Sequence, residues 1–225
     1  MPTDAIINVN GDSVQALDIS LLLVVITLLP TLVVMMTSFT RYVVSLSFLR
    51  TAMGTQQTPP NTVLVGMALI LTLFTMTPAM NEIRTQAYDP YVAGTIGQEE
   101  FFERAQLPLK RFMLRNTEIA SLELFCDMSG EEAPSTAEEL EQAVDLSLLT
   151  ITPAFVTSEL KAAFWIGFLL YIPFMLIDVI VSSTLMSMGM IMLPPSMIST
   201  PFKILLFILL NGWDLLFHTL IGTVR

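Results

Sequence analysis

The sequence predicts an all-α membrane protein in which two apolar helical hairpins flank an acidic helical insert. Of its 225 residues, 53% are hydrophobic and only 13% are charged, whereas charged residues make up about 25% of a soluble domain. Fifteen of the twenty acidic residues lie between positions 81 and 160, and the rest of the chain carries no net charge. The whole imbalance of −10 is therefore confined to one segment between two apolar halves.

We divide the chain into four segments. Residues 1–18 are polar, and because no basic residue precedes Arg41, no secretory signal is predicted. The first apolar hairpin covers residues 19–80, and its uncharged run from 19 to 40 is long enough to span about 30 Å of hydrocarbon. The acidic insert covers residues 81–160. The second apolar hairpin, residues 161–225, is divided by Pro194 and Pro195.

The basic residues indicate a topology. Arg41 and Arg50 flank the turn of the first hairpin, and Lys203 lies near the turn of the second. Because basic residues favour the cytoplasmic side, both turns are predicted to be cytoplasmic and the acidic insert extracytoplasmic. Lys161 and Arg225 count against this orientation.

The turns of the two hairpins share a sequence pattern. Met53-Gly54-Thr-Gln-Gln-Thr-Pro59-Pro60 and Met188-Gly189-Met-Ile-Met-Leu-Pro194-Pro195 both follow M-G-x4-P-P and lie 135 residues apart. Glycine relaxes the end of a helix and Pro-Pro forces an extended exit, so the two turns are predicted to share a shape. Internal repeats are common in membrane transporters, although a match this short also arises by chance.

Several classes of function are excluded by composition. With one cysteine (Cys126) and one histidine (His218), the chain has no intrachain disulfide, zinc finger or Cys/His metal cluster. The acidic net charge argues against a nucleic-acid partner. The ten glycines are scattered singly, so there is no phosphate-binding loop and no ATP-driven machinery. We predict that the protein is not an enzyme and needs no cofactor or metal.

Asp178 and Asp214 interrupt apolar segments, where an unpaired charge is unfavourable. One interpretation is an intramembrane aspartyl protease, but the flanking residues lack the glycine-rich motif that such an activity needs. A second is a proton or ion relay in a secondary transporter or ion channel. The third is that each is a buried polar group, paired or hydrogen-bonded inside an assembly.

Five methionines crowd the turn of the second hairpin: Met186, Met188, Met190, Met192 and Met197. Methionine is flexible and polarisable, so surfaces rich in it repack around varied partners. One interpretation is ordinary apolar filling of a helical hairpin. The other is a deformable constriction, in which several copies of Met190-Ile191-Met192 around an axis close a pore and yield to a passing chain.

Longer motifs resemble the FliP/SctR export-gate proteins of type III secretion. The first signature comprises Thr37-Ser-Phe-Thr-Arg41, Phe48-Leu-Arg50 and Gly54-Thr-Gln-Gln-Thr-Pro-Pro-Asn61. The second comprises Asp178, Met188-Gly-Met-Ile-Met-Leu-Pro-Pro195, Pro201-Phe-Lys203 and Gly212-Trp213. Pro108-Leu-Lys-Arg-Phe-Met-Leu-Arg115 in the insert resembles the flagellar branch. The resemblance covers nearly the whole chain from Leu21 onward.

The resemblance implies a ring: a homo-pentamer that assembles with two other export-gate membrane subunits in the cytoplasmic membrane, at the flagellar basal body. Such a complex is the portal through which unfolded flagellar subunits cross the membrane, next to a downstream export-switch membrane protein. The resemblance also implies a methionine-rich pore gasket, which falls on Met188, Met190, Ile191 and Met192. Ile191 departs from the methionine usual in the family, and it is stiffer but still apolar.

The resemblance further implies a carboxylate–ammonium pair between neighbouring subunits, which falls on Glu159 and Lys203. The alternative is that these are two unconnected charges at the ends of apolar segments.

Overall fold

A short antiparallel β-hairpin precedes the helical part of the chain. The computed structural model describes residues 6–9, 12–15, 23–24, 27–28, 30–32, 34–134, 136, 139–140, 143–190 and 192–224. Strands β1 (Ile6–Val9) and β2 (Asp12–Gln15) pair with Ile6 opposite Gln15. The predicted all-α class is confirmed, and this hairpin is a short local addition to it, because a short run with β-branched residues pairs readily with its neighbour. Every other regular element among the described residues is helical.

The helices follow one another in chain order. Residues 23–24, 27–28, 30–32 and 34–35 are helical, and part of the predicted 19–40 span lies outside the described residues. The remaining elements are α1 (Phe39–Met53), α2 (Asn61–Ile83) with a π-helical extension (Arg84–Tyr88), α3 (Asp89–Val92), α4 (Gln98–Arg115), α5 (Ile119–Ser129), α6 (Leu148–Ser187), α7 (Pro195–Leu209) and α8 (Gly212–Gly222).

Helix α1 was missed by the division of the sequence into uncharged runs. It carries both Arg41 and Arg50, and the fold accommodates them because each finds an acceptor near an end of the helix. The hydroxyls of Ser38 and Thr75 lie 2.9 Å apart, and Arg50 donates to Asn61. Opposite ends of α1 and α2 therefore meet, and the two helices run in opposite directions.

Two helical stretches among the described residues are long and apolar enough to cross a membrane: Asn61–Val92, which comprises α2, its π-helical extension and α3, and Leu148–Ser187, which is α6. The consecutive helices α7 and α8 would make a third span if they are taken together, although they meet at a bend of 68°. The bend lies at Asn211, whose φ of 49° is left-handed and ends α7.

Helix α6 is a continuous rod. Its forty residues extend about 60 Å, twice the hydrocarbon thickness of a bilayer. Pro153 and Pro173 lie inside it without ending it. The boundary predicted between residues 160 and 161 falls within this helix, so the acidic insert and the second apolar segment share one element. The division into four segments otherwise stays a prediction.

Two hydrophobic clusters hold the fold together. The apolar cluster joins α1, α2, α6 and α8 through Tyr42, Leu46, Leu49, Ala52, Met53, Leu64, Ala68, Leu71, Ile166, Phe174, Leu216 and Leu220. The insert cluster joins α4 and α5 to α2 and the first part of α6 through Met76, Ala79, Phe112, Met113, Leu114, Leu122, Cys126, Leu140, Ile151, Ala154 and Phe155. Val224 packs against both clusters, so the residues after α8 lie at their junction.

Candidate functional site: two buried cations and a methionine-rich turn

The first buried cation is Arg41, near the start of α1. Its Nε donates to Oε2 of Glu159 at 2.9 Å, and its Nη2 donates to Oε1 of the same carboxylate. Its Nη1 donates to the carbonyl oxygen of Thr223 at 2.6 Å, just beyond the end of α8. The side chains of Arg41 and Glu159 are 4% and 0% exposed. This bidentate ion pair therefore ties α1, α6 and the end of α8 together, in the geometry that suits guanidinium and carboxylate.

The second buried cation is Lys203 on α7. Its Nζ donates to Oδ2 of Asp178 on α6 at 2.6 Å and to the carbonyl oxygen of Ala52 at 3.1 Å. Ala52 lies in the last turn of α1, where unpaired carbonyls and the helix dipole favour a cation. Lys203 therefore joins the end of α1 to both helices that flank the second turn.

The single chain does not bring the predicted partners Glu159 and Lys203 together. Arg41 occupies both oxygens of Glu159, whereas Lys203 is bound by Asp178 and Ala52. A pair between neighbouring subunits would require one of these contacts to be shared or exchanged. The predicted inter-subunit pair is a statement about an assembly and stays a prediction.

The two aspartates that were predicted to be buried have different environments. The Asp178 side chain is 41% exposed and is paired with Lys203. Asp214 is exposed. The burial predicted for Asp214 is not seen within the chain, because α8 buries the face that carries Gly212, Leu216 and Leu220 and Asp214 falls off that face. Its position in the first helical turn suits a carboxylate, since the N-terminal end of a helix dipole is positive.

The methionine-rich turn lies on the surface of the chain. Met188, Met190 and Met192 are 68%, 43% and 97% exposed. The flanking Met186 and Met197 are also exposed, and Ile191 lies outside the described residues. Ordinary filling of a hairpin core would bury these side chains. Their exposed apolar surface is therefore available to lipid or to other subunits.

The two turns with the shared pattern begin in the same way. Gly54 and Gly189 have φ values of 74° and 76°, which are left-handed and favourable only for glycine. The N–H of Met190 then donates to the carbonyl of Leu185 at 3.0 Å, which closes α6 as a Schellman motif does. The first turn is pinned by polar side chains, since the Thr55 hydroxyl donates to the Thr58 carbonyl. The second has an exposed apolar surface instead.

No constellation for catalysis or metal binding is found among the residues that the structure describes: no three His, Cys, Asp or Glu residues are grouped to hold a metal ion. His218 is exposed on α8. Cys126 is fully buried, and burial raises the pKa of its thiol, so the reactive thiolate is disfavoured.

The role of Arg41 was missed by the sequence analysis, which used this residue only for topology and as part of a motif. The sequence did contain a signal for a structural role. Arg41 directly follows an uncharged run of 22 residues, and a charged side chain on a buried helix needs a partner. The identity of that partner, 118 positions away, was not contained in any local pattern.

These features define a membrane-embedded helical protein with apolar helices of spanning length, buried ion pairs that join them and an exposed methionine-rich turn. The FliP family matches residues 22–220. The flagellar biosynthetic protein FliP of Aquifex aeolicus is 44% identical over 215 residues, which is 96% of this chain and 88% of that protein. The Bacillus subtilis protein of the same name is 47% identical over 201 residues, 89% of this chain and 88% of that protein.

The Pectobacterium carotovorum protein of that name is 46% identical over 208 residues, covering 92% of this chain and 77% of its own length. With this extent of similarity, the chain belongs to the FliP family. It is a membrane-embedded component of flagellar biosynthesis and protein export.

Proposed function

We propose that this chain is a pore-forming subunit of the flagellar type III protein export gate and conducts unfolded flagellar subunits across the cytoplasmic membrane. The observation that carries the proposal is the exposed turn that contains Met188, Met190 and Met192. It follows directly on the end of α6, a helix long enough to cross the membrane. Several copies of such a turn around an axis form a flexible apolar constriction, which suits a path for varied unfolded chains.

Assembly into a ring is supported by the surface of α6. From Phe164 onward it carries a broad band of exposed apolar side chains: Phe164, Trp165, Phe168, Leu169, Ile172, Met175, Leu176, Val179 and Ile180. A helix that is apolar on the faces it does not bury within its own chain is covered by lipid or by neighbouring subunits. We propose a homo-pentamer that assembles with two other export-gate membrane subunits and meets the export-switch membrane protein.

The gate of this proposal is a multi-pass protein of the cytoplasmic (inner) membrane, at the base of the flagellum. The acidic insert faces the extracytoplasmic side, and the energy for transport comes from partner proteins or the membrane potential.

The alternative of a secondary transporter or ion channel that uses Asp178 and Asp214 is less well supported. A relay needs its carboxylates free and aligned along one path. Lys203 holds Asp178 at 2.6 Å, and Asp214 lies exposed on a different helix. The alternative predicts ion or solute uptake by this chain alone, which the export-gate proposal does not.

The proposal is tested by leakage of small solutes across the membrane of cells that co-express the chain with its gate partners. The test variant replaces Met190, Ile191 and Met192 with glycine. Removing these side chains deletes the apolar constriction but leaves the turn flexible enough to form, so we expect an assembled complex that leaks.

The chain supplies a matched control. Gln56 and Gln57 occupy positions of the first turn equivalent to Ile191 and Met192. Their replacement with glycine adds backbone freedom without removing a methionine, and it leaves the Thr55 hydroxyl bonded to the Thr58 carbonyl. We expect no leak from that control. An assembled methionine-turn variant that does not leak, or equal leakage from both variants, contradicts the proposed pore seal. Native mass spectrometry of the purified complex tests the expected five copies.

A further inference from the structure

The first turn lies directly against the helix that leaves the methionine-rich turn. A Cβ atom placed on Gly54 would lie 3.1 Å from the Thr200 hydroxyl oxygen and 3.9 Å from Nζ of Lys203. Both neighbours are side chains of α7, which begins at Pro195, immediately after the methionine-rich turn. The left-handed glycine that ends α1 therefore lies close against two side chains of α7.

The same contact reaches the other side of the methionine-rich turn. Lys203 donates both to the Ala52 carbonyl at the end of α1 and to Asp178 on α6, the helix that enters the turn. Thr200 is only five residues beyond Pro195, about 7.5 Å along α7. The end of α1 is thus in contact with α7 and, through Lys203, with α6. These are the two helices that the exposed turn connects.

The two turns differ in the space around their glycines. Among the described residues, no atom lies within 4 Å of a Cβ placed on Gly189, whereas side chains of α7 occupy the space beside Gly54. The first turn is therefore packed against α7 and held by polar side chains, whereas Met188, Met190 and Met192 of the second turn are exposed. The packed Gly54 turn is therefore suited to hold the methionine-rich turn in position through α7.

We propose that Gly54 is a positioning residue: its turn fixes the placement of α7 and thereby sets the conformation of the methionine-rich turn. The inference goes beyond the pore-sealing function, since it concerns what positions the turn rather than what the turn seals. A side chain at Gly54 has to displace Thr200 by a few tenths of an ångström, because contacts of 3.1 Å are tighter than Cβ atoms ordinarily make.

The test measures the rate at which a maleimide reagent labels a cysteine at Met190, in the purified chain with Cys126 replaced by serine. Met190 is partly exposed, so its labelling rate reports the local conformation of the turn. We expect Gly54→Ala to change that rate by about threefold or more, since displacing α7 alters the opening of the turn.

Gly130→Ala is the matched control. Gly130 also ends a helix with a φ of 74°, but no atom of the described part of the chain lies within 4 Å of its Cβ position. The control carries the same backbone strain without the contact to α7, and we expect the Met190→Cys labelling rate to stay unchanged. An equal change in both glycine variants overturns the proposal, because it would show that backbone strain alone is responsible.

A second-site change tests the contact itself. Thr200→Ala removes the hydroxyl oxygen that a new Cβ would meet, so Gly54→Ala combined with Thr200→Ala is expected to return the labelling rate towards that of the parent. Failure of this rescue overturns the proposal. If Gly54→Ala does not fold, Thr200→Leu is used instead, because it enlarges the same contact from the α7 side and leaves the backbone of the first turn unchanged. An unaltered Met190→Cys labelling rate in that variant also overturns the proposal.

This experiment is independent of the leak assay. A labelling change without a leak in the methionine-turn variant would support the positioning role and contradict the seal. A leak in the methionine-turn variant, with no effect of Gly54→Ala on labelling, would support the seal and contradict the positioning role.

Discussion

Removal of Arg41 from its buried ion pair tests the role of Glu159 most directly. The Arg41 guanidinium binds both carboxylate oxygens, and the two side chains are only 4% and 0% exposed. In Arg41→Met, the carboxylate of Glu159 remains buried without its counter-ion. The loss of one partner from such a pair costs about 3–5 kcal/mol in the free energy of unfolding. The variant also loses the hydrogen bond to Thr223 that holds the end of α8.

Two further variants give the expected order of stabilities. Glu159→Gln leaves Arg41 its bond to Thr223 and a side-chain carbonyl to bind, so we expect a smaller loss of about 1.5–3 kcal/mol, the range for hydrogen bonds to charged groups. Replacing both residues with Met removes the pair without leaving a buried charge. Such replacements are often neutral or stabilising, so the double variant is expected to be more stable than Arg41→Met.

The chain contains its own reporter for the measurement. Cys126 is the only cysteine and is fully buried in the insert cluster. A thiol-reactive fluorogenic dye added to the detergent-solubilised protein therefore reacts when unfolding exposes this residue. For chains of 150–250 residues, 1 kcal/mol shifts Tm by about 2–4 °C, so Arg41→Met is expected to lower Tm by about 6–20 °C.

An Arg41→Met protein that unfolds at the parental temperature refutes the structural role of the pair, as does a double variant no more stable than Arg41→Met. Charge exchange distinguishes this pair from the inter-subunit alternative. Arg41→Glu with Glu159→Arg is expected to recover part of the lost Tm. Glu159→Lys with Lys203→Glu is expected to recover assembly only if Glu159 meets Lys203 of a neighbouring subunit.

Two further predictions concern a carboxylate near the start of α6 and a close helix contact. Hydrogen bonds from the Thr150 hydroxyl and from the backbone N–H that precedes α6 hold the pKa of Glu131 below its ordinary value of 4.5. The ionised form of Glu131 therefore stabilises the fold above pH 4.5, and this stabilisation is lost as the pH falls through the lowered pKa. We expect the Tm difference between the parent and Glu131→Gln to vanish over the same pH range. A pH-independent difference would contradict this prediction. In Gly167→Ala, the new Cβ would lie 2.5 Å from the Phe48 ring, so we expect a loss of about 1–3 kcal/mol in the free energy of unfolding. Gly66→Ala is the control, because no described atom lies within 4 Å of its Cβ position, and we expect it to be neutral or stabilising. Equal Tm values for the two variants would argue against the contact.

The helical class and the apolar part of α6 beyond residue 161 were predictable because they depend on local composition, whereas the continuity of α6 across that boundary was not. A run of residues with a single charge predicts helices whose backbone hydrogen bonds are satisfied internally. The glycines of the two M-G-x4-P-P turns were predictable for the same reason, since a left-handed residue at a helix end favours glycine. Predicting these features does not require knowing which helices pack against each other.

The partners of the buried charges could not be predicted in this way. Glu159 and Arg41 are 118 positions apart, and their pairing depends on the packing of α1 against α6. Helix α1 was missed because its arginines interrupt the apolar pattern, and only their contacts show how the fold accommodates them. The exposure of Asp214 depends on which face of α8 is buried, and that follows from the bend at Asn211.

The unbroken course of α6 gives small rotations a large effect at its far end. From Glu159, where Arg41 anchors it, to Ser187 the helix extends about 42 Å. A tilt of about 5° about that anchor moves the far end by about 4 Å, the distance between two carbon atoms in contact. Since the first part of α6 is packed into the insert cluster, a slight reorientation of the acidic insert displaces the start of the methionine-rich turn by about one atomic diameter.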